Sequence, residues 1–366
     1  MILYFKNVGF SFFQISILTS AFLISIFVFE VPTGAFADGF SRKYSVILGF
    51  LITAVATMLI PLVSNFYLLL LLWILAGLGM AFASGAEEAW VIDNLHKFKR
   101  KDLQHHFFVK SGSFVAFGAI FAPFIGALLV KAYSIKILWF VFGFGFLLNA
   151  LLLMVFGEEH YKPKKITIIE SAKQTWLYSK KGLQFTITHK IVFLLVLAGL
   201  CTQLMAIGDN GWQPFLVELG MAEHQLGYMY SAAAALAVIM PFLSGLFVNF
   251  KPKNAISILV FLKMALFLSI LLIYPPFFLG AALIFIMSCG LFSMTNPILQ
   301  TYFHKFVPTK IRATVVSTKS MFTQLIVALS ALVAGIFLDL FGPQKVLAFG
   351  GLFGLVAIWL YQRIRD

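Results

Sequence analysis

The chemistry open to this chain rests on a few charged and polar side chains set among long apolar runs. Four carboxylates, Glu30, Glu87, Glu88 and Asp209, lie inside such runs, and Asp38, Arg42, Lys43 and Asp93 lie at their ends. A carboxylate at the middle of a membrane helix costs roughly 2.5–3.5 kcal/mol on insertion scales, so none of the four is expected to face lipid. Glu87 and Glu88 are neighbours, and two adjacent carboxylates in an apolar setting resist being ionised together. One reading is that one of them takes up a proton as substrate leaves and releases it on the other side. The other is a structural pair neutralised by Arg312 or a nearby lysine. On a helix Glu88 shares a face with Gly77, Ala81 and Ser84, and that face packs closely on another helix or borders a cavity. Asp209, Asn210 and Gln213 on one segment, and Asn296 and Gln300 on another, are hydrogen-bonding groups for a substrate or ties between helices. Pro297 frees backbone groups next to Asn296 that need partners of their own.

Other chemistries find no support. His105 and His106 stand in a basic loop without H-E-x-x-H spacing, and Cys201 and Cys289 sit in apolar runs as small core residues. There is no G-x-x-x-x-G-K-[ST] loop, so ATP is not the direct energy source. A membrane-embedded transferase would need a His/Asp or His/Glu constellation at a membrane face, and none is found. No metal and no cofactor are expected.

The elements that position these groups follow from composition. Of 366 residues 61% are hydrophobic and 11% charged, with a mean hydropathy of +0.97. Soluble domains are about half apolar and about a quarter charged. An aqueous enzyme is therefore excluded, and an all-α integral membrane protein is expected. Runs long enough to cross about 30 Å of hydrocarbon fall at 12–37, 44–63, 67–92, 107–130, 136–157, 191–218, 225–249, 255–274, 277–303, 313–338 and 345–362. Most of the 43 phenylalanines must then be lipid-facing filler. The formal charge of +13 reflects topology. With the 38–43 turn on the cytoplasmic side, 22 of the 27 basic residues fall on that side, the positive-inside pattern. Nucleic acid has no support as a partner. The carboxyl terminus is expected in the cytoplasm, and Lys263, alone inside a peripheral span, is expected to snorkel to the headgroups.

The chain also repeats itself. Gly34, Asp38 and Arg42 line up with Gly245, Asn249 and Lys253 at an offset of 211, and Gly9, Gln14 and Ile15 line up with Gly220, Gln225 and Leu226. Residues 1–157 form one half and 191–366 the other. Between them, 158–190 is a cytoplasmic loop with a weakly amphipathic stretch, Ile169, Ala172 and Trp176 against Lys173, Lys180 and Lys181. The first half has five helices and the second six, which implies an initial helix absent before Met1, with Ile2 to Phe5 as its stub. A misplaced start codon or a truncated gene would each produce this.

Those residues resemble the major facilitator superfamily, whose fold is two six-helix halves around a central cavity. Gly34-Ala-Phe-Ala-Asp38-Gly39-Phe40-Ser41-Arg42-Lys43 is similar to that family's G-x-x-x-D-x-x-x-[RK]-[RK] signature, with Ser41 in place of a common glycine. Ser84 to Asp93 and Glu30-Val-Pro-Thr-Gly34 resemble the bacterial drug:proton antiporter branch. Gly118, Pro123 and Gly126 match a degenerate antiporter signature, with Ala122 and Ala127 replacing glycines. The resemblance implies that Asp38 sits against the start of the helix near Arg312. There the exposed N–H groups favour a negative charge by roughly 0.3–1 kcal/mol. Arg42 pairs with Asp93, and these contacts are expected to cross the seam between the halves as a conformational gate.

The resulting expectation is a monomeric secondary transporter in the cell inner (plasma) membrane. It exports hydrophobic or amphipathic small molecules, with the proton gradient as energy source. Nutrient uptake by proton symport, and a non-transporting remnant, are the alternatives. Sequencing just upstream of Met1 is expected to show an in-frame apolar stretch of about 20 codons; an in-frame stop directly before Met1 would remove the start-codon explanation.

Overall fold

The computed structural model describes residues 1–161 and 168–364, without the side chains of 168–172, 174–176, 178, 179, 310, 313 and 321. The expectations for Lys162, Lys164, Lys165 and Arg365, and for the apolar stripe of Ile169, Ala172 and Trp176, lie outside those residues. Every regular element described is helical. The first eight are α1 (Ile2–Val8), α2 (Phe12–Gly39), α3 (Arg42–Leu59), α4 (Phe66–Ala83), α5 (Ala86–Lys97), α6 (Leu103–Ala132), α7 (Ile137–Phe156) and α8 (Ile168–Thr188). The rest are α9 (Lys190–Leu204), α10 (Trp212–Glu218), α11 (Gln225–Ile239), α12 (Pro252–Ser269), α13 (Phe278–Phe306), α14 (Arg312–Phe341), α15 (Pro343–Gly350) and α16 (Phe353–Gln362). Among the described residues eleven segments are long and apolar enough to cross a membrane. Each matches one expected from sequence to within a few residues.

Three of the eleven are split into separate helices, the last of them between α15 and α16. The span holding Glu87 and Glu88 breaks at Ser84 and Gly85, where Gly85 takes a φ of +71°, so α5 begins afresh at Ala86. The shared face of Gly77, Ala81, Ser84 and Glu88 therefore does not exist. The segment holding Asp209 breaks likewise: α9 ends at Leu204 and a 3-10 turn over Asp209–Gly211 precedes α10. Asp-Asn-Gly is turn-forming sequence, since Asp and Asn bond locally and Gly costs nothing in unusual backbone angles.

The chain forms two compact units. One comprises Ile17–Val115 and Tyr133–Tyr178; the other comprises Met1–Ser16, Ala116–Ala132 and Ser179–Asp366. In the first, small residues let helices touch backbone to backbone, the usual solution where lipid supplies no hydrophobic drive between helices. A Cβ at Gly49 on α3 would come 2.5 Å from the Gly79 carbonyl oxygen on α4, and one at Gly77 would come 2.7 Å from the Phe22 carbonyl oxygen on α2. The Thr33 hydroxyl donates to the Ala81 carbonyl at 3.0 Å, adding a polar tie between α2 and α4.

In the second unit the internal repeat is visible as geometry. Gly9 and Gly220 both adopt a φ of +101°. Gly9 N–H donates to Lys6 O and Phe10 N–H to Phe5 O, both at 3.0 Å; Gly220 N–H donates to Val217 O at 2.9 Å and Met221 N–H to Leu216 O at 3.0 Å. This paired helix ending needs a left-handed residue, for which glycine is suited. Beyond it Ser11 N–H donates to Gln14 Oε1 and Ala222 N–H to Gln225 Oε1, each at 3.0 Å. Both features recur at the offset of 211. Asp339 on α14 accepts the Phe12 and Phe13 N–H groups at 2.8 and 2.9 Å, placing a carboxylate on the donor-rich start of α2.

Gly143 and Gly145 on α7 give a paired test of this packing. A Cβ at Gly143 would meet Met58 Cγ at 2.5 Å and the Ala54 carbonyl oxygen at 3.0 Å, whereas one at Gly145 meets nothing within 4 Å. Gly143→Val is expected to lower stability by about 1–3 kcal/mol in detergent unfolding and Gly145→Ala by much less. Equal losses would contradict the packing described.

Candidate functional site

Two polar clusters stand out, one in each unit. In the first, Arg42 sits at the start of α3 between two carboxylates. Its guanidinium donates to Asp38 Oδ1 at 2.9 Å and to Asp93 Oδ2 at 2.8 Å. Ser41 caps α3 by accepting the Tyr44 N–H at 3.1 Å. The segment after α7 straps this corner down. Glu159 accepts from the Ser41 hydroxyl and from Lys43 N–H, the latter at 2.8 Å. Lys43 Nζ donates to the Gly157 carbonyl at 2.8 Å, and Trp90 Nε1 donates to the Glu158 carbonyl at 2.8 Å.

Tyr161 completes the cluster. Its ring lies over the Arg42 guanidinium at 4.2 Å, and its hydroxyl donates to the Asp38 carbonyl at 3.1 Å. Burial raises the Tyr161 phenol above its ordinary value and the Asp38 charge adds to this, while Arg42 opposes it. A raised phenol stays a neutral donor through physiological pH. Its contribution is present below the ordinary tyrosine value and is lost only as pH climbs through the raised one.

Arg42 and Asp93 both belong to the first unit, which corrects the expectation that their contact crosses the seam between halves. The reason is local: Asp38 and Arg42 are one helical turn apart across the α2–α3 corner, and α3 packs against α5. Arg312 starts α14, with one guanidinium N–H reaching the Val307 carbonyl at 3.5 Å. Gly34 has open space where a Cβ would project, as does Gly245 at the equivalent repeat position.

The second cluster gathers on the broken helix. Asp209 and Asn210 border a cavity of about 230 Å³ together with Gln203, Ser330, Leu200 and Ile326. Asp209 is exposed to this space. Gly208 and Gly211 let the turn lie directly on α14 and α15, since a Cβ there would sit 3.0 Å from Leu347 N and 2.9 Å from Leu338 Cδ2. Gln213 is not on the cavity wall. It accepts from Leu3 N–H and donates to the Tyr230 hydroxyl, both at 3.2 Å, so it ties α1 and α10 to α11.

The remaining candidates are separate from these clusters. Glu87 and Glu88 lie exposed in the first turn of α5, where free backbone N–H groups favour negative charge. Glu30 is exposed on α2, and Asn296 and Gln300 are exposed on α13. Pro123 packs its carbonyl against Gly227 on α11, with Ala127 beside it; Gly126 is half-buried and Gly118 faces open space.

Glu159, Tyr161, Gln203 and Ser330 were missed from sequence. Glu159 and Tyr161 carried no motif, and only the fold brings them to Arg42. Lys263 corrects an expectation: it is 7% exposed, not snorkelling to headgroups, with Nζ 5.3 and 5.0 Å from the rings of Phe267 and Phe292. Lys263 lies about 16 Å along α12 from its start, too deep to reach an interface, and that depth was the available signal.

Comparison with known proteins agrees with this architecture. The YxaM protein of Bacillus subtilis (strain 168), an uncharacterized MFS-type transporter, is 26% identical over 387 residues, covering 100% of this chain and 91% of the relative. The crystal structure of the nucleoside transporter NupG superposes with a TM-score of 0.78 at 13% identity, over 99% of this chain and 93% of that one. A bacterial homologue of the human lysosomal transporter Spinster, in an inward-facing and occupied conformation, also gives 0.78, at 15% identity, over 99% and 90%. These solved structures share the fold. The family description Major Facilitator Superfamily matches residues 1–331, and the chain therefore belongs to that superfamily of multi-pass membrane transporters.

Proposed function

We propose that the chain moves a hydrophobic or amphipathic small molecule out of the cell by alternating access, driven by inward proton flow across the inner (plasma) membrane. The observation that carries this reading is Asp209, a carboxylate exposed to a largely aliphatic cavity on a helix broken at that point. Interrupted membrane helices place polar groups where substrate or coupling ions bind, and an intramembrane carboxylate is costly enough to need a use. Asn210, Gln203 and Ser330 supply hydrogen bonds beside it. Glu30, Glu87 and Glu88 remain further proton or substrate groups, with the start of α5 holding the last two. The Asp38–Arg42–Asp93 cluster, held by Tyr161, acts as the gate on the cytoplasmic side, where the carboxyl terminus also lies.

The test is transport of a panel of dyes and metabolites in everted vesicles under an imposed pH gradient. Asp209→Asn is expected to lower pH-driven movement at least about tenfold, since a hydrogen bond to a charged group contributes roughly 1.5–3 kcal/mol. Movement in the opposite sense assigns the chain to uptake by symport, and failure of any solute to move overturns the transport reading.

The gate has its own measurement. In a background without Cys201 and Cys289, Arg42→Ala should shift maleimide labelling of reporter cysteines between the two membrane faces several-fold. Tyr161→Phe, which keeps the ring over the guanidinium, should shift it less. Unchanged labelling in Arg42→Ala refutes the gate.

A further inference from the structure

The last two membrane segments enclose a slot in the second compact unit, apart from the Asp209 cavity. α14 gives way to α15 at Gly342, whose φ of +79° lets the chain reverse with a single residue between the helices, because glycine alone takes such angles cheaply. Val333, Phe337 and Phe341 recur every four residues along α14, and Lys345 and Phe349 on α15 continue at the same interval to Phe353 on α16. Residues four apart share a helix face. Both stripes line one cavity of about 460 Å³. Its floor is closed at Gly350, where a Cβ would stand 3.0 Å from the Met205 carbonyl oxygen and 3.2 Å from Ile207 Cγ2. Phe353 lies eight residues beyond Lys345, which is about 12 Å of helix rise, against about 15 Å for the hydrocarbon of one leaflet.

The mouth of the slot is polar. Phe341 and Lys345 also line a second cavity, of about 240 Å³, together with Glu218, Tyr274 and Gln344, so the two spaces meet at Lys345. Gln344 is already used, donating to the Ile270 and Ile273 carbonyls at 3.0 and 2.9 Å. One ammonium and one carboxylate, both exposed, are left for whatever enters. Lys6 on α1 is a further cation near Glu218, but it is on the wall of neither cavity. Among the described residues Lys345 makes no ion pair. It stands at the end of the last span opposite Arg363, on the face that sequence charge assigns to the outside, where the positive-inside pattern gives no reason for a lysine.

We propose that this slot holds one phospholipid from the leaflet at that face, a phosphatidylethanolamine. An acyl chain lies between the two stripes, the phosphate meets Lys345, and the headgroup ammonium meets Glu218. The page of charges at the mouth selects this headgroup. A purely anionic one would satisfy Lys345 and oppose Glu218, and a choline carries no N–H to donate. Ethanolamine matches both charges with hydrogen bonds of the charge-assisted kind. The chain in turn covers Val333, Phe337, Phe341 and Phe349, which are otherwise between 42% and 55% exposed, and each methylene it buries adds to the hold.

The site is tested on the full chain, purified in detergent and washed free of loosely held lipid. It is titrated with dioleoyl phosphatidylethanolamine, phosphatidylcholine or phosphatidylglycerol, and bound lipid is counted by native mass spectrometry. One phosphatidylethanolamine should be retained, several-fold more tightly than either of the others. Lys345→Gln should weaken it roughly tenfold, the order of one hydrogen bond between charged groups, and Lys345→Arg should keep it. Glu218→Gln should erase the preference over phosphatidylglycerol. Val333→Trp, which fills the slot from an exposed position, should release all three lipids. The three altered side chains are exposed, so the packed core is left intact, and an unchanged unfolding temperature without lipid checks this. Retention of no lipid, equal retention of all three, or a Lys345→Gln protein that binds as the parent does overturns the proposal. So does a lipid that Val333→Trp fails to release, since its chain would then lie outside the slot.

Discussion

Hydrocarbon offers no hydrogen bonds and almost no dielectric screening, so every charge or backbone polar group carried into it must be matched by another part of the protein. That constraint accounts for where the few ionisable residues of this chain lie. Asp339 is matched by two backbone N–H groups at the start of α2. Arg42 is matched by carboxylates on either side and covered by a tyrosine ring. Lys263 lies against the faces of Phe267 and Phe292. The contacts of Asp339 with Phe12 and Phe13, and of Arg42 with Asp93, join residues far apart in the chain and bind helices together while they satisfy the charge.

The internal duplication shows how one scaffold is put to two uses. The turns at Gly9 and Gly220 share their backbone angle and their hydrogen bonds, because a helix that must stop and reverse has few ways to satisfy its last carbonyls. The corners further along have diverged. In the first copy Asp38, Arg42 and Asp93 form a charged network. In the second, Asn249 replaces the carboxylate, and Lys253 donates to the Ile364 carbonyl at 2.7 Å. A cation on the last carbonyls of a helix stabilises that end.

Two of the interrupted spans carry Glu87, Glu88 and Asp209. At Ser84 and Gly85 the interruption gives Glu87 and Glu88 a helix start of their own, which removes the need for a buried counter-charge. At Met205–Gly211 it turns Asp209 towards open space, while Gly208 and Gly211 keep the irregular backbone pressed against α14 and α15. Irregular backbone at membrane depth survives only where protein or a cavity surrounds it.

The sequence alone determined the class, the eleven spans and the duplication, because length, apolarity and charge asymmetry are properties of each segment by itself. The family resemblance also implied the pairing of Arg42 with Asp93, but it set Asp38 against the start of the helix near Arg312, and the contact of Asp38 with Arg42 comes from the structure. Tertiary structure decided everything that depends on which side chains meet. Periodicity assumed that Glu88 lay on an unbroken helix, and a left-handed glycine ended that face. Gln213, open in the sequence between binding substrate and tying helices, ties α1 to α11. Lys263 read as a lipid-facing outlier, because a helical wheel shows a residue's direction without showing what stands there. Only the packing of α12 within the second unit turns that direction inward, and burial then makes a partner obligatory.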